Sequence, residues 1–183
     1  MAKNKKYAKI RYAVVGLGHI AQVAVLPAFA HATRNSVLAA LVSDDSEKLR
    51  QLGRRYGIKL TYPYEKYDDC LRSGDFDAVY IALPNSMHAE YSIRAARAGV
   101  HVLCEKPMAV TERECQAMIR AAQKHKVKLM IAYRLHFEQA NLKAIEIVKS
   151  GKLGELRFFS SAFGLQVREG NIRTDADLGG GTL

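Results

Sequence analysis

No stretch of the 183 residues approaches the roughly 20 consecutive apolar side chains that a membrane helix requires. The N-terminus is basic but lacks the apolar segment of a secretory signal. The expectation is a cytoplasmic protein with no membrane partner. Cysteine is scarce as well: Cys70, Cys104 and Cys115 form no Cys-x-x-Cys pair, which argues against a disulfide framework and a zinc site, so no metal is expected and the thiols read as reduced. Internal repeats are absent, and the sequence is of low complexity only in its basic first residues.

Acidic residues are outnumbered, 18 to 28, for a net charge of +10. Such a balance raises the question of a nucleic-acid partner. Five of the positive charges, however, fall within the first eleven residues, at Lys3, Lys5, Lys6, Lys9 and Arg11. The remaining clusters, Arg50, Arg54 and Arg55 or Lys124, Lys126 and Lys128, lie where helices meet loops and have no interleaved aromatic residues for base stacking. They read as solvated helix faces, and no nucleic-acid partner is expected.

What is present is an alternation. Ile10–Val15, Val37–Val42, Ala78–Leu83, Val100–Cys104 and Val127–Ala132 are short apolar runs rich in β-branched residues, as buried parallel strands are, and Ile58–Leu60 adds a candidate sixth. Between them, Leu49, Leu52 and Tyr56 share a helical face, as do Ala89, Ile93 and Ala96, and then Cys115, Met118, Ile119 and Ala122. Thr111 and Glu114 form a capping box at the start of the third helix. Strand-helix-strand units with right-handed crossovers predict an α/β fold, a doubly wound parallel sheet over residues 10–133, preceded by a basic tail, 1–9. Beyond it, Leu142, Ile145 and Val148 predict a helix closed by Gly151, and Gly154–Val167 predicts one long strand with aromatic bulk on both faces, the opening of a second, α+β sheet domain over 134–183.

The first chemical motif, Gly16-Leu17-Gly18-His19-Ile20-Ala21, directly follows the first strand. Gly16 permits a tight turn, Gly18 lets backbone approach a pyrophosphate, and Ala21 replaces the third glycine of a dinucleotide fingerprint. The helix that follows turns its N-terminus towards the phosphate charge. A plain turn uses the same residues, but the placement between strand and helix favours the dinucleotide. The second strand ends Val42-Ser43-Asp44-Asp45, where the ribose is read. Ser43 with Lys48 would hold a 2′-phosphate, Asp44 on the ribose would select NAD, and a third reading has Ser43 and Asp44 only capping the next helix. Two further segments follow strands: Leu83-Pro84-Asn85-Ser86-Met87-His88, and Cys104-Glu105-Lys106-Pro107. Lys106 is the candidate catalytic residue. Its ammonium can stabilise oxygen charge as a hydride leaves and share a proton in a relay. Pro107 shapes the turn after it, a cis bond being one means. In isolation a Glu-Lys-Pro segment is an exposed turn, and a lone His88 is a helix-start residue; their position on the sheet points to function.

These segments together resemble the glucose-fructose oxidoreductase and inositol dehydrogenase family, Gfo/Idh/MocA. The resemblance rests on AVVGLGHIA at 13–21, ALPNSMHAE at 82–90, AGVHVLCEKPMA at 98–109, YRLHF at 133–137, GKLGELR at 151–157 and LGGGTL at 178–183, in that order and spacing. It implies a Rossmann domain joined to an open-faced α/β domain, NAD or NADP as cofactor, and a sugar, polyol or related carbohydrate as substrate. By likeness, Gly16, Gly18, His19 and Ile20 form the pyrophosphate loop, and Ser43 with Lys48 resembles the NADP-binding pattern, so the cofactor expectation leans to NADP. Leu83, Pro84, Asn85 and His88 resemble the loop beside the nicotinamide ribose, Glu105 and Lys106 the cofactor-contacting and catalytic pair, and Arg134 a residue of the crossover segment near the substrate.

The family places an Asp-x-x-x-His motif just after LGGGTL, where this sequence ends. The resemblance therefore implies a truncated oxidoreductase, inactive as given, whose acid or base histidine would lie beyond Leu183, and whose full-length form is a candidate homo-oligomer. The alternatives are a dinucleotide-binding sensor or regulator without turnover, and an NAD-dependent carbohydrate eliminase or hydrolase that retains Lys106 with no net change in cofactor.

Overall fold

The structure, a computed structural model, describes residues 8–162 and 164. Six parallel strands form one sheet: β1 (Ile10–Val15), β2 (Ser36–Val42), β3 (Leu60–Tyr62), β4 (Ala78–Ile81), β5 (His101–Cys104) and β6 (Leu129–Ile131), in the order β3-β2-β1-β4-β5-β6. Helices alternate with them. Residues 21–28 form α1, followed by α2 (Ser46–Tyr56), α3 (Tyr67–Arg72), α4 (His88–Arg97), α5 (Glu112–Lys124) and α6 (Gln139–Lys149). The doubly wound α/β architecture is as the alternation predicts.

Each face of the sheet carries its own apolar layer. On one, Val14 and Leu41 meet Ala21, Val25 and Leu26 of α1 and Leu49 and Leu52 of α2. On the other, Val15, Val42, Val79, Ile81 and Val102 meet Tyr67 and Cys70 of α3, Tyr91 and Ala95 of α4, and Met118 of α5. Strands buried on both sides have no polar face to present, which is why they read in the sequence as continuous apolar runs. Each fully buried valine, leucine or isoleucine contributes roughly 1.5–3 kcal/mol relative to an exposed one, and these two layers hold the sheet.

Local details depart from the sequence reading. The third strand begins at Leu60 because the Ile58 N–H is taken by the Gly53 carbonyl at 2.8 Å, closing α2 after Gly57 at φ +69°. The α2 cap is neither Ser43 nor Asp44. Asp45 accepts from the Lys48 N–H at 2.9 Å, while the Ser43 hydroxyl accepts from the Asp45 N–H at 3.2 Å. Helix α1 has wide π-type turns over Ala21–Val25 before its α-helical end, Leu26–Ala28. That end contains Pro27, whose ring crowds the carbonyl four residues earlier. Helix α3, at six residues, is too short to show a period and was not legible. The capping box holds: Thr111 Oγ1 accepts from the Glu114 N–H at 3.2 Å, and the Glu114 carboxylate accepts from the Thr111 N–H at 2.9 Å.

The long strand expected over 154–167 is not formed where the chain is described. Helix α6 ends as expected, with Gly151 at φ +74°, but residues 156–162 have no regular secondary structure, and Phe158 and Phe159 are 84% and 86% exposed. Alternating side chains do not make a strand without a ladder, and no described strand pairs with this segment. Residues 165–167 and the LGGGTL segment lie outside the described residues.

Candidate functional site

Strand order reverses between β1 and β4, since β1 continues to β2 on one side while the chain crosses to β4 on the other. At such a point the loops beyond the carboxyl ends of the strands diverge and leave a crevice. The glycine loop stands there. Gly16 has φ +94°, and a Cβ on it would lie 2.6 Å from the Ala82 carbonyl oxygen at the end of β4. Both the turn and the close approach require glycine. Leu17 is buried beneath the loop, and its carbonyl accepts from the Gln22 side-chain amide at 2.8 Å. Gly18, His19 and Ile20 are exposed, and a Cβ on Gly18 would meet nothing within 4 Å. The loop therefore has open space above it at the start of a helix, a fit to a phosphate group approaching the backbone.

At the end of β2, Ser43 is only 3% exposed, and its hydroxyl serves the turn into α2. Burial pushes the Tyr64 phenol up to about 12. Asp44 is exposed. The Lys48 ammonium lies 2.9 Å from Asp45 Oδ2, and hydrogen bonds from Lys48 hold the Asp45 carboxyl below the usual carboxylate range. Ser43 and Lys48 thus stand at one strand end as the sequence placed them, with the serine hydroxyl directed into its own turn and the ammonium on the surface.

The loops after β4 and β5 are joined by His88. The first residue of α4, it is fully buried, with Nδ1 2.8 Å from the Pro107 carbonyl oxygen and Nε2 2.9 Å from that of Leu83. Both partners are acceptors only, so a ring nitrogen serves either of them as a donor. His88 therefore ties the Leu83-Pro84-Asn85 loop to the Glu-Lys-Pro turn from behind, with its ring nitrogens turned to the protein's own backbone. The Lys106–Pro107 bond is cis, and Lys106 is exposed. His88→Leu fills most of the space but provides no donor, and is expected to destabilise the fold by roughly 2–4 kcal/mol in urea unfolding. His88→Gln, with an amide able to reach the Leu83 carbonyl, should recover part of that loss. Equal losses in the two variants would show that the bonds carry no weight.

Beside the turn, the Tyr80 hydroxyl of β4 donates to Glu105 Oε1 at 2.8 Å, and Glu105 Oε2 accepts from the Lys106 N–H at 3.3 Å. Arg134 is exposed in the short helical turn Arg134–Phe137 that follows β6, two strands along the same edge from β4. Burial pushes the Cys70 and Cys104 thiols up to about 12, so neither offers a reactive thiolate. Sequence reasoning missed Gln22 and Tyr80. A glutamine one turn into a helix carries no distinguishing signal, and Tyr80 is one aromatic residue in an apolar strand; its partner lies 25 positions away.

Residues 10–133 match the oxidoreductase family with an NAD-binding Rossmann fold, Gfo/Idh/MocA. The chain belongs to this family. Among similar proteins is the dTDP-3,4-didehydro-2,6-dideoxy-alpha-D-glucose 3-reductase of Streptomyces violaceoruber, 35% identical over 175 residues, covering 95% of this chain and 50% of the relative. An aldose-aldose oxidoreductase from Caulobacter crescentus, solved with glycerol, is 48% identical with a TM-score of 0.77 over 80% of this chain and 44% of that one. A 3-ketoreductase from Actinomadura kijaniata, solved with NADP and TDP-benzene, is 32% identical with a TM-score of 0.85 over 95% of this chain and 53% of that one. The Gfo/Idh/MocA chain described here spans about half the length of the curated relatives it matches.

Proposed function

We propose that this chain binds a nicotinamide dinucleotide across the β1/β4 crevice, with a lean to NADP, and serves an oxidoreductase that acts on a sugar, polyol or related carbohydrate. The observation that carries the reading is the convergence at one edge of the sheet: the glycine loop against Ala82, the Leu83-Pro84-Asn85 loop, and the Glu105-Lys106-Pro107 turn tied to that loop through His88. The family assignment and the relatives' NADP and sugar chemistry support it.

In this reading, the backbone at Gly18, His19 and Ile20 receives the pyrophosphate, with its charge at the start of α1. Pro84 and Asn85 line the nicotinamide side. The dinucleotide, when bound, supplies a hydride acceptor or donor. Lys106 holds its ammonium beside the carbon that exchanges the hydride, where it stabilises the oxygen as charge grows and moves its proton. Arg134, beyond β6, stands towards the substrate. No described helix is long and apolar enough to cross a membrane.

Calorimetric titration of the chain with NAD and NADP tests the reading directly, and a folded sample that binds neither removes it. The same titration on Lys48→Ala tests the lean. The ammonium's present partner is an exposed carboxylate, which it exchanges easily for a 2′-phosphate. NADP affinity is expected to fall by about tenfold and NAD affinity by less than about twofold. Equal losses would leave the ribose unread by Lys48.

A further inference from the structure

We propose that Tyr80 is a positioning residue, holding the Glu105 carboxylate in place for the nicotinamide half of the dinucleotide; this rests on the binding mode proposed above. The register of the sheet creates the pair. Tyr80 stands opposite Leu103 in the β4/β5 ladder, and the Glu105 N–H extends that ladder to the Ile81 carbonyl at 2.9 Å. Glu105 therefore follows Leu103 by two residues and lies on the same face as Tyr80, at the diagonal position that long side chains reach. Its direct neighbour across the ladder is the small Ala82, which leaves the space for the carboxylate to lean back to the phenol. Ala82 is also the residue whose carbonyl the glycine loop approaches, so the held carboxylate belongs to the edge of the crevice.

The bond has a direction. Burial and the neighbouring carboxylate both push the Tyr80 phenol above its ordinary range, so it stays protonated and donates. With Oε1 on Tyr80 and Oε2 on the Lys106 N–H, both oxygens are oriented, and a carboxylate has further lone pairs for a ligand's hydroxyl or amide. Unheld, the side chain would choose among its rotamers and would have to be ordered when the ligand arrives. A phenylalanine at position 80 would fill the same apolar space against the α1 and α2 layer. The hydroxyl is what the Glu105 contact requires.

Tyr80→Phe removes that hydroxyl alone. The test titrates wild type, Tyr80→Phe, Glu105→Gln and the double variant with NAD and NADP, and in parallel with ADP and its 2′-phosphate, which lack the nicotinamide half. Dinucleotide affinity of Tyr80→Phe is expected to fall by about five- to tenfold, while ADP and its 2′-phosphate bind within about twofold of wild type. The double variant should lose no more than Glu105→Gln, as two residues acting through one contact do. Unchanged dinucleotide affinity, equal weakening of both classes of probe, or additive losses in the double variant would each overturn the proposal. Folded wild-type protein that binds neither NAD nor NADP would instead overturn the dinucleotide reading on which it rests, and the proposal with it.

Discussion

In the full-length protein that the proposed function implies, Lys106→Ala is expected to lower carbohydrate-dependent turnover by roughly a hundred- to ten-thousand-fold, the range for removal of a positioned proton donor or acceptor. Dinucleotide affinity should stay within about threefold, because the ammonium's contribution grows with charge in the transition state and is small in the ground state. The geometry supports this division. The backbone of the turn is held without the lysine side chain: Glu105 takes the Lys106 N–H, and His88 takes the Pro107 carbonyl. Alanine keeps both bonds, so the turn stays in place and only the ammonium is lost. Stopped-flow measurement of the hydride step, following reduced-cofactor absorbance, separates chemistry from product release. Near-normal turnover would return the Glu-Lys-Pro segment to the role of a surface turn.

Gly16→Ala and Gly18→Ala are expected to fail in different ways, although the two positions are two residues apart in one motif. At Gly16 the φ of +94° strains any L side chain, and the new Cβ meets backbone, the Ala82 carbonyl oxygen at 2.6 Å, which cannot turn aside as a flexible side chain can. Strain and displacement together should cost roughly 2–4 kcal/mol and lower the melting temperature by about 5–15 °C, with dinucleotide binding weakened as the loop shifts. At Gly18 the Cβ enters open space and the backbone lies outside the left-handed region, so stability should stay within about 0.5 kcal/mol of wild type. Binding should nonetheless fall by at least about tenfold, because that open space is where the proposed binding mode brings the pyrophosphate. Calorimetric melting and titration of both variants test the pair. If Gly18→Ala binds as wild type does, the phosphate is not cradled there; if Gly16→Ala melts as wild type does, the contact with Ala82 is not structural.

Much of the fold was legible because its signals are local. A parallel strand covered on both faces must be apolar throughout, so Val37–Val42 and Ala78–Ile81 announce themselves, and a capping box such as Thr111 with Glu114 closes within four residues. Boundaries set by competing bonds were not legible: β3 starts late because α2 claims the Ile58 N–H, and the α2 cap passes to Asp45 because Ser43 is drawn into the turn before it. Residues 155–162 show the converse error. Their alternation satisfies the local rule for a strand, but a strand forms only with a partner, and alternation says nothing of whether one is present.

The candidate site divides along the same line. The sequence by itself determined the order of the elements, the glycine loop between β1 and α1, and the arrival of Pro84, Asn85 and Lys106 after strands that end at one edge, because chain order and the handedness of the crossovers dictate these. Only the tertiary structure decided what each side chain faces. It turned the nitrogens of His88 onto two backbone carbonyls, placed Ala82 against Gly16, and brought the Tyr80 hydroxyl 2.8 Å from Glu105. These contacts link residues up to 66 positions apart, and their distances depend on strand register and side-chain packing, which no local pattern of residues records.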